Sequence, residues 1–441
     1  MINLKLEDYL TIVLLEQALK KVNKTKNRLT LEAGEFNENK VINTLNLLEE
    51  IANKTYEVGE YKEFKIYEPK ERIIYAPTFR DKVVQIWLNN ILKYEYRFKY
   101  FIKDSYGSID ARGTHKCAEK IQENMKIAQA TLGTQARILK LDVKKFFYSI
   151  DREVLKEIYK KQIADPNILW LLNKIIDSAD QIDEKGLPLG NTISQLSANV
   201  YMNELDQFIK RTLRVKYYVR YMDDMILILE NTEKAREVKD QVENYLNTKL
   251  HLELNQDKSK IFPIKQGVNA IGYKIYPTHK KLRNRSKKKF KQIVKELNED
   301  IVKTTYLTLE QYQHYESRLN SWMGHAGHAA SRNFIISQLK KNPNLILAGN
   351  KLKIYRQYER IDYSWLIEHD EEGIKMLQDR ERIAHYHYQC TKPEEYAWLL
   401  KKDEETKTKE NKIIETQILE NYYKEYYKTR NLEDYQWLLE K

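Results

Sequence analysis

Apolar positions along this chain follow two different periods. Short apolar runs at Arg72–Tyr75, Ile138–Asp142, Tyr217–Val219, Met225–Leu229, Ile261–Phe262 and Ile271–Ile275 predict strands. Between them, Glu153–Tyr159, Thr192–Arg211 and Thr232–Leu250 carry helical spacing. Short strands interleaved with helices predict a helix-rich α/β (α+β) unit over roughly 136–280.

From Pro277 to Asn342 the pattern predicts helices and no strand. Phe290, Ile293, Val294 and Leu297 stand at i, i+3, i+4 and i+7, the stripe of an amphipathic helix. Lys280, Lys281, Arg283, Arg285, Lys287, Lys288, Lys289 and Lys291 crowd the rest of that stretch, which therefore reads as a basic helical bundle. Further on, an acidic-Tyr-x-Trp-Leu-(Leu/Ile) pattern occurs three times, around Trp365, Trp398 and Trp437. Each copy has a tyrosine ten residues upstream: Tyr355, Tyr388 and Tyr427. Such a period predicts helical-hairpin repeats that bury Trp and Tyr against the next unit. A surface for RNA or for a second copy of the chain is the alternative use of those aromatics.

Composition and charge refine this picture. With 441 residues, two to four structural units are expected, and 42% hydrophobic content is that of a folded protein. No apolar run approaches a membrane span, and the N-terminus has no signal-peptide stretch, so no membrane association and a bacterial cytoplasmic location are expected. The cysteines, Cys117 and Cys390, lack metal-type spacing. The net charge of +12 divides into +18 over residues 1–358 and −6 over 359–441. A basic body suits a polyanionic partner, although solvated lysines alone would give the same balance.

The chemistry concentrates in three aspartates. Tyr221-Met-Asp223-Asp224 lies between the apolar runs 217–219 and 225–229, where charge is costly unless a ligand compensates it. A hairpin with both aspartates at its tip would expose them, and a divalent cation would offset their repulsion. An Asp-Asp turn without ligand is the other reading. Ile138-Leu-Lys-Leu-Asp142 is a second apolar strand ending in an aspartate. Together the three offer all-oxygen ligation suited to Mg²⁺ or Mn²⁺. Two metals about 4 Å apart would activate a 3′-hydroxyl and stabilise leaving pyrophosphate.

The order Asp142, then Leu187-Pro-Leu-Gly190-Asn-Thr-Ile-Ser194-Gln195, then Tyr221-Met-Asp-Asp224 resembles the palm of reverse transcriptases. The resemblance extends upstream to Pro69–Asp81 and Ser105–His115, and downstream to Leu252–Lys258 and Ile271–Tyr273. It implies a right-hand polymerase with fingers, palm and thumb, followed here by an α-helical repeat domain. The corresponding expectation is N-terminal helices and fingers over 1–135, palm with inserted fingers helices over 136–281, thumb over 282–345 and repeats over 346–441.

The resemblance also implies roles. Asp142, Asp223 and Asp224 would be the catalytic carboxylates and, with the Val143 carbonyl, hold two Mg²⁺ ions. Phe147 falls where the family places a bulky side chain under the incoming sugar, which would reject a 2′-hydroxyl; core filling is the alternative. Lys70 and Arg72, alternating on one strand, match residues that grip the triphosphate. Gly190 would let backbone approach the nucleotide, with Gln195 beside the templating pair. Lys258 matches a position that can protonate pyrophosphate. Arg112 and His115 would meet template backbone, while Lys287, Lys288 and Lys291 would follow duplex phosphates. His325 and His328 have no Cys or carboxylate beside them, so helix packing or a phosphate contact is expected of them.

Leu189 and Gln195 stand where many reverse transcriptases have Gln and Pro. The resulting Leu-Gly-x-x-x-Ser-Gln looks like the enzymes of diversity-generating retroelements and of defence-associated lineages. The additional C-terminal pattern favours antiphage defence, with cDNA made from dNTPs on a structured noncoding RNA. Mutagenic retrohoming is the alternative, and a non-catalytic RNA-binding scaffold is the alternative of another class. Self-association through the C-terminal repeats and priming from a tyrosine near Tyr422–Tyr427 are further expectations.

Overall fold

In a computed structural model, residues 1–25, 30–67, 71–304, 307–342, 344–348 and 351–354 are described. Lys70 and the Trp-containing pattern after residue 355, with its expected helical repeats and self-association, lie outside them. The chain forms two compact units. One is Met1–Lys289 with His325–Asn333; the other contains Phe290–Gly324 and the described residues from Phe334 onward.

The first unit is organised around a four-stranded antiparallel sheet in the order β4-β5-β3-β6: β3 is Arg137–Asp142, β4 Tyr217–Tyr221, β5 Asp224–Leu229 and β6 Lys260–Pro263. Ile138, Leu139 and Leu141 of β3 and Met225 through Leu229 of β5 are buried, which is why these runs read as apolar. The helices Thr114–Leu132 and Thr232–Lys249 pack against these strands, and Thr192–Gln207 packs against Thr232–Lys249. Asn191 and Asn231 cap the last two helices through their side-chain oxygens. The same core continues under the N-terminal helices, where Trp87 is buried and its indole N–H donates to the Tyr9 carbonyl.

Two small antiparallel sheets flank this framework. β1 (Lys62–Ile66) pairs with β2 (Arg72–Ala76), and β7 (Val268–Ala270), β8 (Tyr273–Ile275) and β9 (Lys280–Leu282) form a meander. Two expectations need correction here. The single strand expected over Ile271–Ile275 is broken by a turn, because Ile271 and Gly272 both take positive φ, 49° and 82°. β9 is a strand inside the stretch expected to lack one, since pairing with β8 satisfies the backbone of its lysine-rich run.

The second unit is built on the expected stripe. Phe290, Ile293, Val294, Leu297 and Ile301 of the Asn284–Thr304 helix are all buried. Phe290 packs on Trp322 with ring centroids 4.2 Å apart, and Phe334 meets both rings. A hairpin of β10 (Leu345–Ala348) and β11 (Lys351–Ile354) follows, so helix from residue 346 is corrected over these strands. Alternation of Leu352 and Ile354, both buried, with Lys351 and Lys353 is a period of two, which a short segment before a helical pattern easily hides. Among the described residues, no helix is long and apolar enough to cross a membrane.

Candidate active site

The ladder of β3 and β5 places Asp142 directly opposite Asp224. β4 and β5 are joined through Met222 and Asp223, so Asp223 stands at the hairpin tip and Asp224 opens the next strand. Met222 takes φ of +54°, a left-handed conformation that tightens the turn. The separate sequence signals thus converge at one end of the two central strands. Asp142 is only 5% exposed.

The electrostatics are those of crowded anions. Burial, then Asp224 and Asp142, push the Asp223 carboxyl up to about 6, against a smaller opposing pull from Lys258. Lys258 Nζ lies 2.6 Å from Asp142 Oδ2, and the hydrogen bond to Asp142 raises the ammonium's pKa. Lys140 Nζ lies 3.2 Å from Asp224 Oδ1. That oxygen is buried and accepts no hydrogen bond, so the contact is one of charge without hydrogen-bond geometry. Lys140 was not anticipated as part of the site. Its signal was available, because two residues before Asp142 on a strand is the same face.

Among the described residues, no three or more His, Cys, Asp or Glu side chains form a group ready to hold a metal ion. The three aspartates are nevertheless the appropriate chemistry. They are hard oxygen donors, one with a buried oxygen that accepts no hydrogen bond, and two ammonium groups sit where compensating charge is needed.

Val143 is buried beside Asp142 and bridges to Leu254; the flanking Asn255 N–H donates to the Asp142 carbonyl at 2.8 Å. Phe146 and Phe147 face differently, their rings meeting edge-on at 5.4 Å. Phe146 is buried, whereas Phe147 is half-buried and packs at the core margin. Gly190 has φ of +114°, and a Cβ there would lie 2.9 Å from the Tyr75 carbonyl oxygen and the Ile74 side chain. Its lack of a side chain thus first serves the join to β2, where Tyr75 N–H donates to the Leu189 carbonyl at 2.8 Å. Gln195 is exposed on the first turn of the Thr192–Gln207 helix, and Arg72 is exposed at the start of β2.

The residues expected at nucleic acid are placed differently. Arg112 is half-buried, with its Nη1 donating to the Ile102 and Ser105 carbonyls, both at 2.6 Å, so it braces its own loop. His115 stacks on His328 at 3.6 Å, and the Tyr273 hydroxyl lies within hydrogen-bond distance of both His115 and His325. The packing expected of His325 and His328 is therefore observed, with His115 as their partner. Lys288 and Lys291 are exposed on the Asn284–Thr304 helix and Lys287 is half-buried.

Residues 62–275 match the family described as reverse transcriptase (RNA-dependent DNA polymerase). Protein YkfC of Escherichia coli is 24% identical over 254 residues, covering 48% of this chain and 66% of YkfC. The group II intron-encoded protein LtrA of Lactococcus lactis is 23% identical over 320 residues, covering 57% of this chain and 52% of LtrA. The chain thus spans between half and two thirds of these relatives. Telomerase from Candida albicans, solved with a fragment of telomeric RNA, shares 13% identity with a TM-score of 0.39, covering 79% of this chain and 65% of that one. That likeness is weak. Asp142, Asp223 and Asp224 all lie inside the segment that matches the reverse transcriptase family.

Proposed function

We propose that this chain is an RNA-directed DNA polymerase whose Asp142, Asp223 and Asp224, with the Val143 carbonyl, hold two Mg²⁺ ions, Mn²⁺ being able to replace them. The observation that carries this reading is the register itself, with Asp142 opposite Asp224 and Asp223 at the adjoining turn. Carboxylates gathered at the ends of the central strands of an apolar sheet favour a bound cation. When bound, the ions would activate a primer 3′-hydroxyl and stabilise departing pyrophosphate.

The protein's own groups would do the rest. Lys70 and Arg72 bind the triphosphate, Phe147 excludes a ribose 2′-hydroxyl, and Gly190 and Gln195 border the nascent pair. Lys258, which pairs with Asp142 in the free protein, would donate a proton to pyrophosphate. Arg112 holds the loop that meets template, while His115, Lys287, Lys288 and Lys291 contact nucleic acid. In this reading, residues 1–135 supply the N-terminal helices and fingers, 136–281 the palm, 282–345 the thumb and 346–441 a repeat domain through which copies associate.

The role proposed for the polymerase is cytoplasmic antiphage defence, with a dedicated structured noncoding RNA as template. It is supported by Leu189 and Gln195 and by the threefold Trp pattern after the thumb segment. The same Leu189/Gln195 pair also favours a diversity-generating role. Sequencing the nucleic acid that co-purifies separates them: one fixed noncoding template supports defence, and a variable protein-coding repeat supports retrohoming. The polymerase itself is tested by dNTP incorporation on an RNA template with an annealed DNA primer. Wild-type protein should extend the primer only with Mg²⁺ or Mn²⁺, and Asp223→Asn/Asp224→Asn should not. Wild-type protein that binds RNA without extending any primer is a scaffold instead.

A further inference from the structure

The Asp223 turn is held from beneath by a fully buried cation. Arg220, two residues before Met222 on β4, has no exposed side-chain surface. Its Nε and Nη2 form a forked ion pair with Asp206, at 2.7 to 3.0 Å, and Asp206 is equally buried. Tyr218 donates its hydroxyl to the same carboxylate at 2.6 Å. The remaining nitrogen, Nη1, donates to the Met222 carbonyl and to Asn199 Oδ1, both at 3.0 Å.

These bonds converge on one short stretch of backbone. Asn199 Nδ2 donates to the Gly107 carbonyl at 2.8 Å. A Cβ on Gly107 would fall 2.7 Å from Met222 N, Cγ and Sδ, so that loop abuts the turn. The Arg220 backbone closes the other side, donating to the Asp104 carbonyl and accepting from Tyr106 N–H, both at 2.9 Å. Met222 sits in a left-handed conformation that costs a non-glycine residue about 1 kcal/mol or more unless its surroundings enforce it. Only the Arg220 guanidinium among these groups reaches the turn carbonyl by a side chain while anchored to a buried counter-charge.

We infer that Arg220 is a positioning residue, which fixes the Met222 peptide and thereby the direction in which Asp223 is presented. An ion pair that served stability alone would be replaceable by apolar side chains at little cost. Arg220 has a second task, because its fork satisfies Asp206 with two nitrogens and commits the third to the turn.

This inference rests on the reading of Asp142, Asp223 and Asp224 as metal ligands, and its test separates the two. Two variants remove the Met222 hydrogen bond by different routes. Arg220→Lys keeps a buried charge for Asp206, and Arg220→Met/Asp206→Leu replaces the pair by apolar side chains. Tyr218→Phe, which leaves the Arg220–Met222 bond in place, is the comparison. Mn²⁺ binding to the full chain without substrate is measured by electron paramagnetic resonance, with melting temperature and the split of kcat and KM for dNTP alongside. The folded variants at Arg220 should bind Mn²⁺ at least tenfold more weakly and lose kcat more than KM, whereas Tyr218→Phe should lower the melting temperature alone. Wild-type affinity and kcat in a folded Arg220 variant would overturn the inference, as would failure of both variants to fold, which makes Arg220 purely structural. Absence of Mn²⁺ binding in the wild type would instead remove the metal reading on which it rests.

Discussion

Lys258 places its ammonium 2.6 Å from Asp142 Oδ2, so a carboxylate read as a metal ligand is already satisfied by a cation from its own chain. A metal ion bound at Asp142 would have to displace that ammonium, and the lysine would then lose the partner that raises its pKa. The pairing makes Lys258 a competitor of the metal and, once released, a better acid. Lys258→Met should therefore bind Mn²⁺ severalfold more tightly in the absence of substrate. It should also lose about 10²-fold or more in kcat if the lysine supplies a proton. Calorimetric titration of Mn²⁺ with single-turnover extension checks both; a loss of affinity would contradict the competition.

Asp223 gives a pH signature. Its carboxyl stands at about 6 in the folded protein, above the ordinary aspartate value of 3.8. A raised carboxyl favours folding at low pH, and this contribution is lost as pH rises from the unfolded value through the folded one. At pH 8 the ionised group therefore costs stability, on the order of 1–3 kcal/mol at most. Asp223→Asn should raise the metal-free melting temperature at pH 8 and have little effect at pH 4. Millimolar Mg²⁺ should narrow the pH 8 difference by stabilising the wild type. Thermal melts at the two pH values, with and without Mg²⁺, provide the check.

Phe147 is half-buried beside a fully buried Phe146, so the two aromatics can be tested independently. Phe147→Val should raise ribonucleotide use relative to deoxyribonucleotide by about tenfold or more, a ~1.4 kcal/mol change in discrimination. Phe146→Val should reduce stability by roughly 1–3 kcal/mol without changing that ratio. Competition of rNTP against dNTP, read alongside denaturant unfolding, separates gate from core.

Gly190 carries two readings that one substitution resolves. Its φ of +114° and the 2.9 Å approach to the Tyr75 carbonyl make Gly190→Ala strained whatever binds nearby. A loss of roughly 1–3 kcal/mol in stability is expected. A rise in KM for dNTP beyond what unfolding accounts for would add the nucleotide role; an unchanged KM would confine this glycine to the β2 join.

The sheet was legible because its strands are apolar runs with aspartates where burial ends. Ile138–Asp142 and Met225–Leu229 each lie within their observed strand, β3 and β5. The Phe290 stripe was legible for the same reason, one buried face at one period. The small sheets were less so: β1 is largely exposed Lys and Glu, and β9 is two lysines and a leucine, so pairing rather than composition makes them strands. Arg112 and Arg220 show a further limit. Arginine in a basic sequence suggests a polyanion, yet Arg112 is engaged with its own loop and Arg220 with buried Asp206. Nothing local distinguishes those uses, because Asp206 comes from a different helix and Ser105 from a preceding turn.

Strand β3 runs antiparallel between β5 and β6, and its last residue is Asp142. A one-residue slip of β3 against β5 would turn Asp142 to the opposite face and bring Leu141 into its place. The same buried side chains that oppose such a slip also fix the spacing of the carboxylates. A site written into a ladder in this way can be erased by one substitution but cannot drift to a neighbouring position. Any descendant of this chain that changes its chemistry would therefore have to do so around an unmoved Asp142.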